Sequence, residues 1–239
     1  MRGPYCEQFF DYMESDSYVA ARLIVPLILK ITDAQSVVDA GCGLGAWLKV
    51  FEENGINDFL GLDGDYVNQR RLLIPAANFL AVDLSRPLNL KRRFDLALSL
   101  EVGEHIRRRR AEIFAKNLAA LADVIVFSAA LPRQGGTHHV NERWPAYWRR
   151  LFKKRGYEFL DPFRPRLLWT PGLKSYYKQN LYLVVKRPLL VAAPYRDLPR
   201  PPAFVILHQN IFRRHKPLLR LRYLLRKYIF KKSYRPDLS

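Results

Sequence analysis

Four short apolar stretches in this chain each run into a carboxylate. SVVDA (36–40) leads into the glycine-spaced turn GCGLG (41–45), DFLGLD (58–63) ends on Asp63, NFLAVD (78–83) ends on Asp83, and FDLALSL (94–100) is followed by Glu101. Stretches this short, rich in Val, Leu and Phe and closed by Gly or Asp, read as buried strands. Helix-like spacing lies between and around them, in residues 16–31, in AWLKVFEENG (46–55) and in residues 106–121. DVIVFSAA (123–130) predicts a fifth strand, ERWPAYWRRLFKKRG (142–156) a helix, and YEFLDP (157–162) and NLYLVVKR (180–187) two late strands. This alternation predicts an α/β fold, a doubly wound Rossmann-like seven-stranded sheet that is mostly parallel. The last two strands lack an obvious helix between them, so the last is expected to be antiparallel and to pair at the sheet edge.

In open α/β sheets, ligands bind at the carboxyl ends of the strands. Those ends here carry Asp39, Asp63, Asp83 and Glu101, beside glycines that let a ligand approach the backbone closely. Gly41, Gly43 and Ala46 also satisfy a loose dinucleotide pattern, G-x-G-x-x-A. A row of carboxylates suits a pyrophosphate poorly. It suits a ligand with a nucleoside at one end and a cationic amino acid at the other. Asp63 stands where an acidic side chain can accept both ribose hydroxyls. Asp83 could accept from an adenine amino group, since an ionised carboxylate is acceptor-only. Asp39 would sit near an ammonium.

Glu101, Glu104 and His105 form an E-x-x-E-H set. If a helix begins after Leu100, the three share one face. Carboxylates and imidazole so placed can hold a divalent cation such as Mg²⁺ or Mn²⁺, with a further ligand from GGTHHVNERW (135–144). The plainer reading is that the carboxylate caps the helix and the histidine packs nearby.

With these motifs in hand, residues 15–187 resemble the class I S-adenosylmethionine-dependent methyltransferases. VVDAGCGLG is similar to their first motif, GLDGD to their ribose-binding turn, AVDLS to their adenine-binding turn, and FDLALSLEVGEHI to the fourth-strand motif that faces the methyl group. The resemblance implies S-adenosyl-L-methionine as cofactor, held by Asp39, Gly41, Cys42, Gly43, Asp63, Gly64, Asp83, Leu84 and Leu100. It implies methyl transfer as the reaction. The E-x-x-E-H set resembles that of ubiquinone-pathway O-methyltransferases and of small-RNA 3′-terminal 2′-O-methyltransferases, the latter with a later histidine for their metal. LPRQGGTHHVNERWPAYW (131–148) is similar to a segment of bacterial methyltransferases of natural-product and glycan pathways, in which a histidine precedes V-N-E. That position is His139. The resemblance therefore implies His139, Glu104 and His105 as catalytic residues, and Glu101, Glu104, His105 and His139 as a metal set. Tyr176 and Tyr177 in the last-strand segment, and Trp144, Trp148 and Trp169, could wall an acceptor pocket or belong to the core.

The expected reaction is O-methylation of a small molecule, sugar or glycan intermediate. RNA 2′-O-methylation and a non-catalytic partner subunit are the alternatives, and N-methylation, which needs less proton removal, stays open. Charge bears on the partner. Of the net +18, residues 1–185 hold 26 Lys and Arg against 20 Asp and Glu, and residues 186–239 hold 14 against 2. A basic tail on a near-neutral body points to an anionic partner. Residues 1–187 read as the catalytic domain. Residues 188–239 read as a Pro-rich extended linker followed by a basic amphipathic helix, with Leu218, Leu221, Leu225 and Ile229 on one face. That extension reads either as a helix docked on the body with its charges facing water or as one suited to an anionic membrane surface or a lipid-linked acceptor. Nucleic acid is the weaker expectation, because no RNA-binding module is recognisable. The Arg107–Arg110 run suits either a phosphate or plain solvation. Two cysteines, the absence of a signal-peptide pattern and a longest early apolar run of only seven residues (23–29) predict a cytoplasmic protein, peripheral at the membrane if the tail binds it.

Overall fold

The computed structural model describes residues 7–202. The expected amphipathic helix with Leu218, Leu221, Leu225 and Ile229 falls outside them. A long helix, α1 (Glu7–Thr32), is followed by β1 (Ser36–Ala40), α2 (Ala46–Glu53), β2 (Asp58–Asp63), β3 (Phe79–Ala81) and β4 (Leu96–Leu100). Next come α3 (Ala111–Leu121), β5 (Val124–Ser128), α4 (Pro145–Lys153), β6 (Tyr157–Leu160), α5 (Arg164–Leu167), α6 (Ser175–Asn180) and β7 (Tyr182–Lys186).

The strands form one seven-stranded sheet in the order β3-β2-β1-β4-β5-β7-β6. The contacts from β3 through β5 are all parallel, and β7 runs antiparallel to both β5 and β6. Only β7 is reversed. The expected antiparallel pair is present, with β6 at the edge and β7 inserted between it and β5.

Side chains alternate across each strand, so neighbouring residues feed opposite layers. Val37 packs with Ala20, Ile24, Ile28, Leu48 and Phe51 on the α1–α2 side. Val38 packs on the other side with Phe114, Leu118, Trp148 and Phe152 of α3 and α4. β7 repeats the pattern, with Leu183 and Val185 in the first layer and Tyr182 and Val184 in the second. Strands covered on both faces need continuous apolar runs, which is why these segments lack polar alternation. A buried bidentate pair, Arg164 to Asp161 (2.9 and 2.6 Å), secures the corner after β6, with the guanidinium 4.3 Å from the Tyr182 ring centroid.

Two local expectations change. The helical spacing over 106–121 becomes a 3₁₀ turn at Arg108–Arg110, with α3 starting only at Ala111. The first part of the Pro-rich segment is not an extended linker. It makes two short turns, at Arg187–Val191 and Tyr195–Asp197, and lays Leu189, Leu190, Tyr195 and Leu198 against the core. The Asp161 amide donates to the Pro199 carbonyl at 2.7 Å. Proline forbids regular ladders, but it does not prevent leucines from packing. Among the described residues, no helix is long and apolar enough to cross a membrane.

Candidate active site

A cleft of about 870 Å³ opens at the carboxyl ends of β1, β2 and β4. The parallel register sets Asp39 beside Gly61 and Ala40 beside Leu62, so the two strand ends meet at one edge. The chain then turns sharply. The amides of Gly41 and Cys42 both donate to the Leu62 carbonyl, at 2.7 and 3.2 Å. Gly41 has φ +98°, and a Cβ there would stand 2.2 Å from a Val102 methyl. Only glycine fits both the conformation and the contact.

Asp63 ties the turn to β2. Its Oδ2 accepts from the Gly43 amide and its Oδ1 from the Gly64 amide, each at 2.7 Å, and the Tyr66 hydroxyl donates to Oδ1 as well. Burial raises the Asp63 pKa against those donors. Asp39 is 2% exposed, and burial, helped by the Asp63 charge, pushes its pKa up to about 7. Burial likewise pushes the Cys42 thiol well up, so this cleft-lining cysteine is a small apolar wall. Asp83 is exposed. It accepts from the Ser85 amide and hydroxyl at 2.9 and 2.6 Å and pairs with Arg86 at 3.1 Å. The Ser85 hydroxyl is the main cause that lowers its pKa. Leu84 and Leu100 also line the cleft.

Tyr66 carried no sequence signal of its own. Its hydroxyl takes a lone pair of Asp63, so a ribose hydroxyl directed to that oxygen, as the sequence predicts, would compete with it. Tyr66→Phe is expected to tighten binding of S-adenosylhomocysteine by about 3- to 10-fold, the worth of one net hydrogen bond. Calorimetric titration of both proteins measures this, and equal affinities would show that the ribose bypasses that oxygen.

The E-x-x-E-H set does not lie on an α-helical face. Glu101 has φ +55°, a left-handed conformation uncommon for Glu, and Gly103–His105 is a single 3₁₀ turn. The Glu101 amide donates to the Ser128 carbonyl (3.2 Å) and hydroxyl (2.9 Å). Its carboxylate accepts from Gln134 Nε2 at 2.6 Å and Asn180 Nδ2 at 3.3 Å, and Asn180 also donates to Gln134 Oε1 at 2.8 Å. Burial raises its pKa against these donors. Gln134 and Asn180 went unmarked in the sequence, although Gln134 lies in the segment that resembles the bacterial methyltransferases.

Glu104, His105 and His139 converge instead. One ligand atom from each lies within 4.8 Å of the others, and Glu101 is outside the group. Glu104 is 1% exposed, its Oε2 has no hydrogen-bond partner, and burial followed by the Glu101 charge raises its pKa strongly. Burial lowers His105 to about 4, so its imidazole is neutral near pH 7. The His105 and His139 rings meet edge-on at 5.0 Å, and His139 Nδ1 lies 3.0 Å from Glu142. Gly136 passes over His139 so closely that a Cβ would stand 2.2 Å from Nε2. Val140 and Asn141 donate their amides to the Glu104 carbonyl at 2.9 Å each, which docks the post-β5 loop on this turn. Glu101 and His105 line the cleft, whereas Glu104 and His139 do not.

Of the aromatics, Tyr177 lines the cleft beside Trp47, with ring centroids 5.5 Å apart, and Tyr176 is partly buried against the core. Trp148 is core, and Trp144 and Trp169 are exposed.

Comparison with known proteins agrees with this geometry. The methyltransferase domain family matches residues 12–162. At the level of sequence, no curated protein matches the chain. Among solved structures, DesVI of Streptomyces venezuelae superposes with a TM-score of 0.56 at 17% identity, over 72% of this chain and 92% of that one. The human N-acetylserotonin methyltransferase in complex with S-adenosylmethionine gives 0.54 at 15%, over 75% and 55%. The magnesium protoporphyrin IX methyltransferase of Synechocystis with S-adenosylmethionine bound gives 0.50 at 18%, over 77% and 88%. At these identities the likeness is one of fold. The chain belongs to the methyltransferase domain family, as a class I S-adenosylmethionine-dependent methyltransferase.

Proposed function

We propose that this enzyme moves the methyl group of S-adenosylmethionine to a hydroxyl of a small acceptor, a sugar, glycan intermediate or related molecule. Within the cleft, Asp63 would take the ribose hydroxyls, Asp83 the adenine amino group, and Asp39 the amino-acid ammonium. The observation that carries the choice of a hydroxyl is Glu101. A carboxylate locked in a left-handed turn by Ser128, Gln134 and Asn180, facing the cleft at the end of β4, is a placed proton acceptor. An attacking hydroxyl needs one, because it must lose its proton as the carbon–oxygen bond forms. The sulfonium supplies the reactive methyl, and the protein supplies position and charge. This shifts the proton-accepting role from His139 and Glu104 to Glu101, with His105 as a neutral hydrogen-bonding neighbour.

Glu104, His105 and His139 fit a divalent cation, since one ligand atom of each lies within 4.8 Å of the others and the buried Glu104 carboxylate keeps one oxygen without a partner. A cation held there would supply Lewis acidity behind His105, the member of the group that lines the cleft. The test is calorimetry with S-adenosylhomocysteine, first on EDTA-treated protein and then with Mg²⁺ or Mn²⁺. Micromolar binding is expected, and its absence in every condition would sink the cofactor reading. Mn²⁺ binding, followed by its own spin resonance, is expected in the parent protein and lost in Glu104→Gln. A free-ion spectrum for the parent would remove the metal. The +12 balance of residues 186–239 supports recruitment to an anionic surface bearing a lipid-linked acceptor.

A further inference from the structure

The wall of the cleft that carries Glu101 continues outward through Val102, His105 and Ile106 and ends at Arg107, Arg109 and Arg110, all of which line the same cavity. Arg107, Arg108 and Arg109 also border a second, shallower depression. The turn is tight, with the Arg110 amide donating to the Arg107 carbonyl at 2.7 Å. Arg110 faces Asp83 and helps to lower its pKa. Arg107, Arg108 and Arg109 are exposed and, among the described residues, have no carboxylate partner. The other cations of this edge are engaged or apart. Arg86 is paired with Asp83, and Arg143 is held by Asn141 at 3.0 Å.

A run of arginines on a convex helix face needs no explanation beyond solvation. Here Arg107, Arg109 and Arg110 line the mouth of a reaction cleft, and the run begins six residues after the proposed proton acceptor. Guanidiniums offer paired N–H groups matched to phosphate oxygens. The nearer wall is apolar at Val102 and Ile106, so a bound acceptor would present a less polar middle there and an anionic end at the rim.

We infer that Arg107 and Arg109, at the rim of the cleft, bind a phosphate or diphosphate group carried by the methyl acceptor. This deepens the methyl-transfer reading of the cleft and rests on it. The acceptor is then a phosphorylated compound, and the reaction that supplies it is a phosphoryl or glycosyl-phosphate transfer. Two sources share this chemistry, a soluble sugar diphosphate and a lipid-linked diphosphate.

The test uses the full-length protein saturated with S-adenosylhomocysteine, titrated with inorganic pyrophosphate. Saturable binding is expected, weakening with salt and falling about tenfold or more in the R107Q/R109Q variant. The basic segment beyond residue 202 also attracts anions, so the difference between the two proteins is the readout. S-adenosylhomocysteine binding by the variant is measured first, as proof that it has folded. If pyrophosphate binds both proteins equally, binds neither, or displaces S-adenosylhomocysteine, the proposal is overturned while the cofactor reading stands. Failure of S-adenosylhomocysteine to bind the parent protein would instead overturn the methyl-transfer reading beneath it. Flotation with vesicles containing phosphatidic acid separates the sources. Arginine-dependent capture points to the lipid-linked acceptor, and pyrophosphate binding without such capture to the soluble one. Tight, rim-dependent binding of a single-stranded RNA that pyrophosphate does not displace would replace the small acceptor with a nucleic acid.

Discussion

Asp63→Asn is expected to weaken S-adenosylhomocysteine binding by about 100- to 1,000-fold. The carboxylate has two tasks. It holds the Gly43 and Gly64 amides, each at 2.7 Å, and it offers the cleft its remaining acceptor capacity, part of which the Tyr66 hydroxyl occupies in the empty protein. An amide of the same shape has one oxygen. It can serve one of those backbone donors, while its NH₂ meets the other and leaves an unsatisfied buried donor at a cost of about 1–3 kcal/mol. Charge-assisted bonds to the ribose hydroxyls, worth about 1.5–3 kcal/mol each, weaken at the same time. The fold should survive, since the β1–β2 ladder and the amide contacts to the Leu62 carbonyl do not depend on Asp63. Calorimetry with a melting curve separates the effects. A loss of less than about tenfold would mean that Asp63 is only a strut for the glycine turn.

The second large effect is on pH. Asp39 is pushed up to about 7 by burial first and by the Asp63 charge second. Its acid form is therefore favoured in the empty protein, and that contribution to stability is fullest at pH below the ordinary carboxylate value. It is lost as pH rises through 7. A ligand ammonium reverses the preference, because it requires the ionised form. S-adenosylhomocysteine should thus bind with release of a proton below pH 7, and its affinity should fall by up to about tenfold for each unit of acidification. Above 7 the affinity should level off. Titrations in buffers of different ionisation enthalpy count the released proton directly. Asp39→Asn should abolish the release, and Asp63→Asn should move its midpoint to lower pH by removing the neighbouring charge. A pH-independent affinity between 5 and 7 would place the ammonium away from Asp39.

The glycine turn and the acidic strand ends were legible because each follows from a local rule. A buried parallel strand must be apolar throughout, and a backbone that bends back over its own sheet needs glycine. Those rules place Asp39, Asp63, Asp83 and Glu101 at one edge without any knowledge of tertiary contacts. The strand boundaries of β1 and β2 follow in the same way, since both end where the apolar run ends.

The E-x-x-E-H set shows where local rules stop. Spacing alone favoured a helical face with Glu101, Glu104 and His105 together. The chain instead leaves β4 in a left-handed step, because the Glu101 amide finds both the carbonyl and the hydroxyl of Ser128 on β5. That contact spans 27 residues, and no periodicity encodes it. It turns Glu101 toward Gln134 and Asn180 and turns Glu104 toward His139. The same holds for the first turns after Pro188, which look like a linker in sequence and pack because the body offers an apolar surface to Leu189, Leu190 and Leu198. By itself, then, the sequence determined the fold class, the cofactor edge and the family, since burial and backbone sterics act residue by residue. Only the tertiary structure decided which carboxylate faces the cleft, which joins the histidines and which arginines form its rim, because those outcomes depend on hydrogen bonds and packing between segments far apart in the chain.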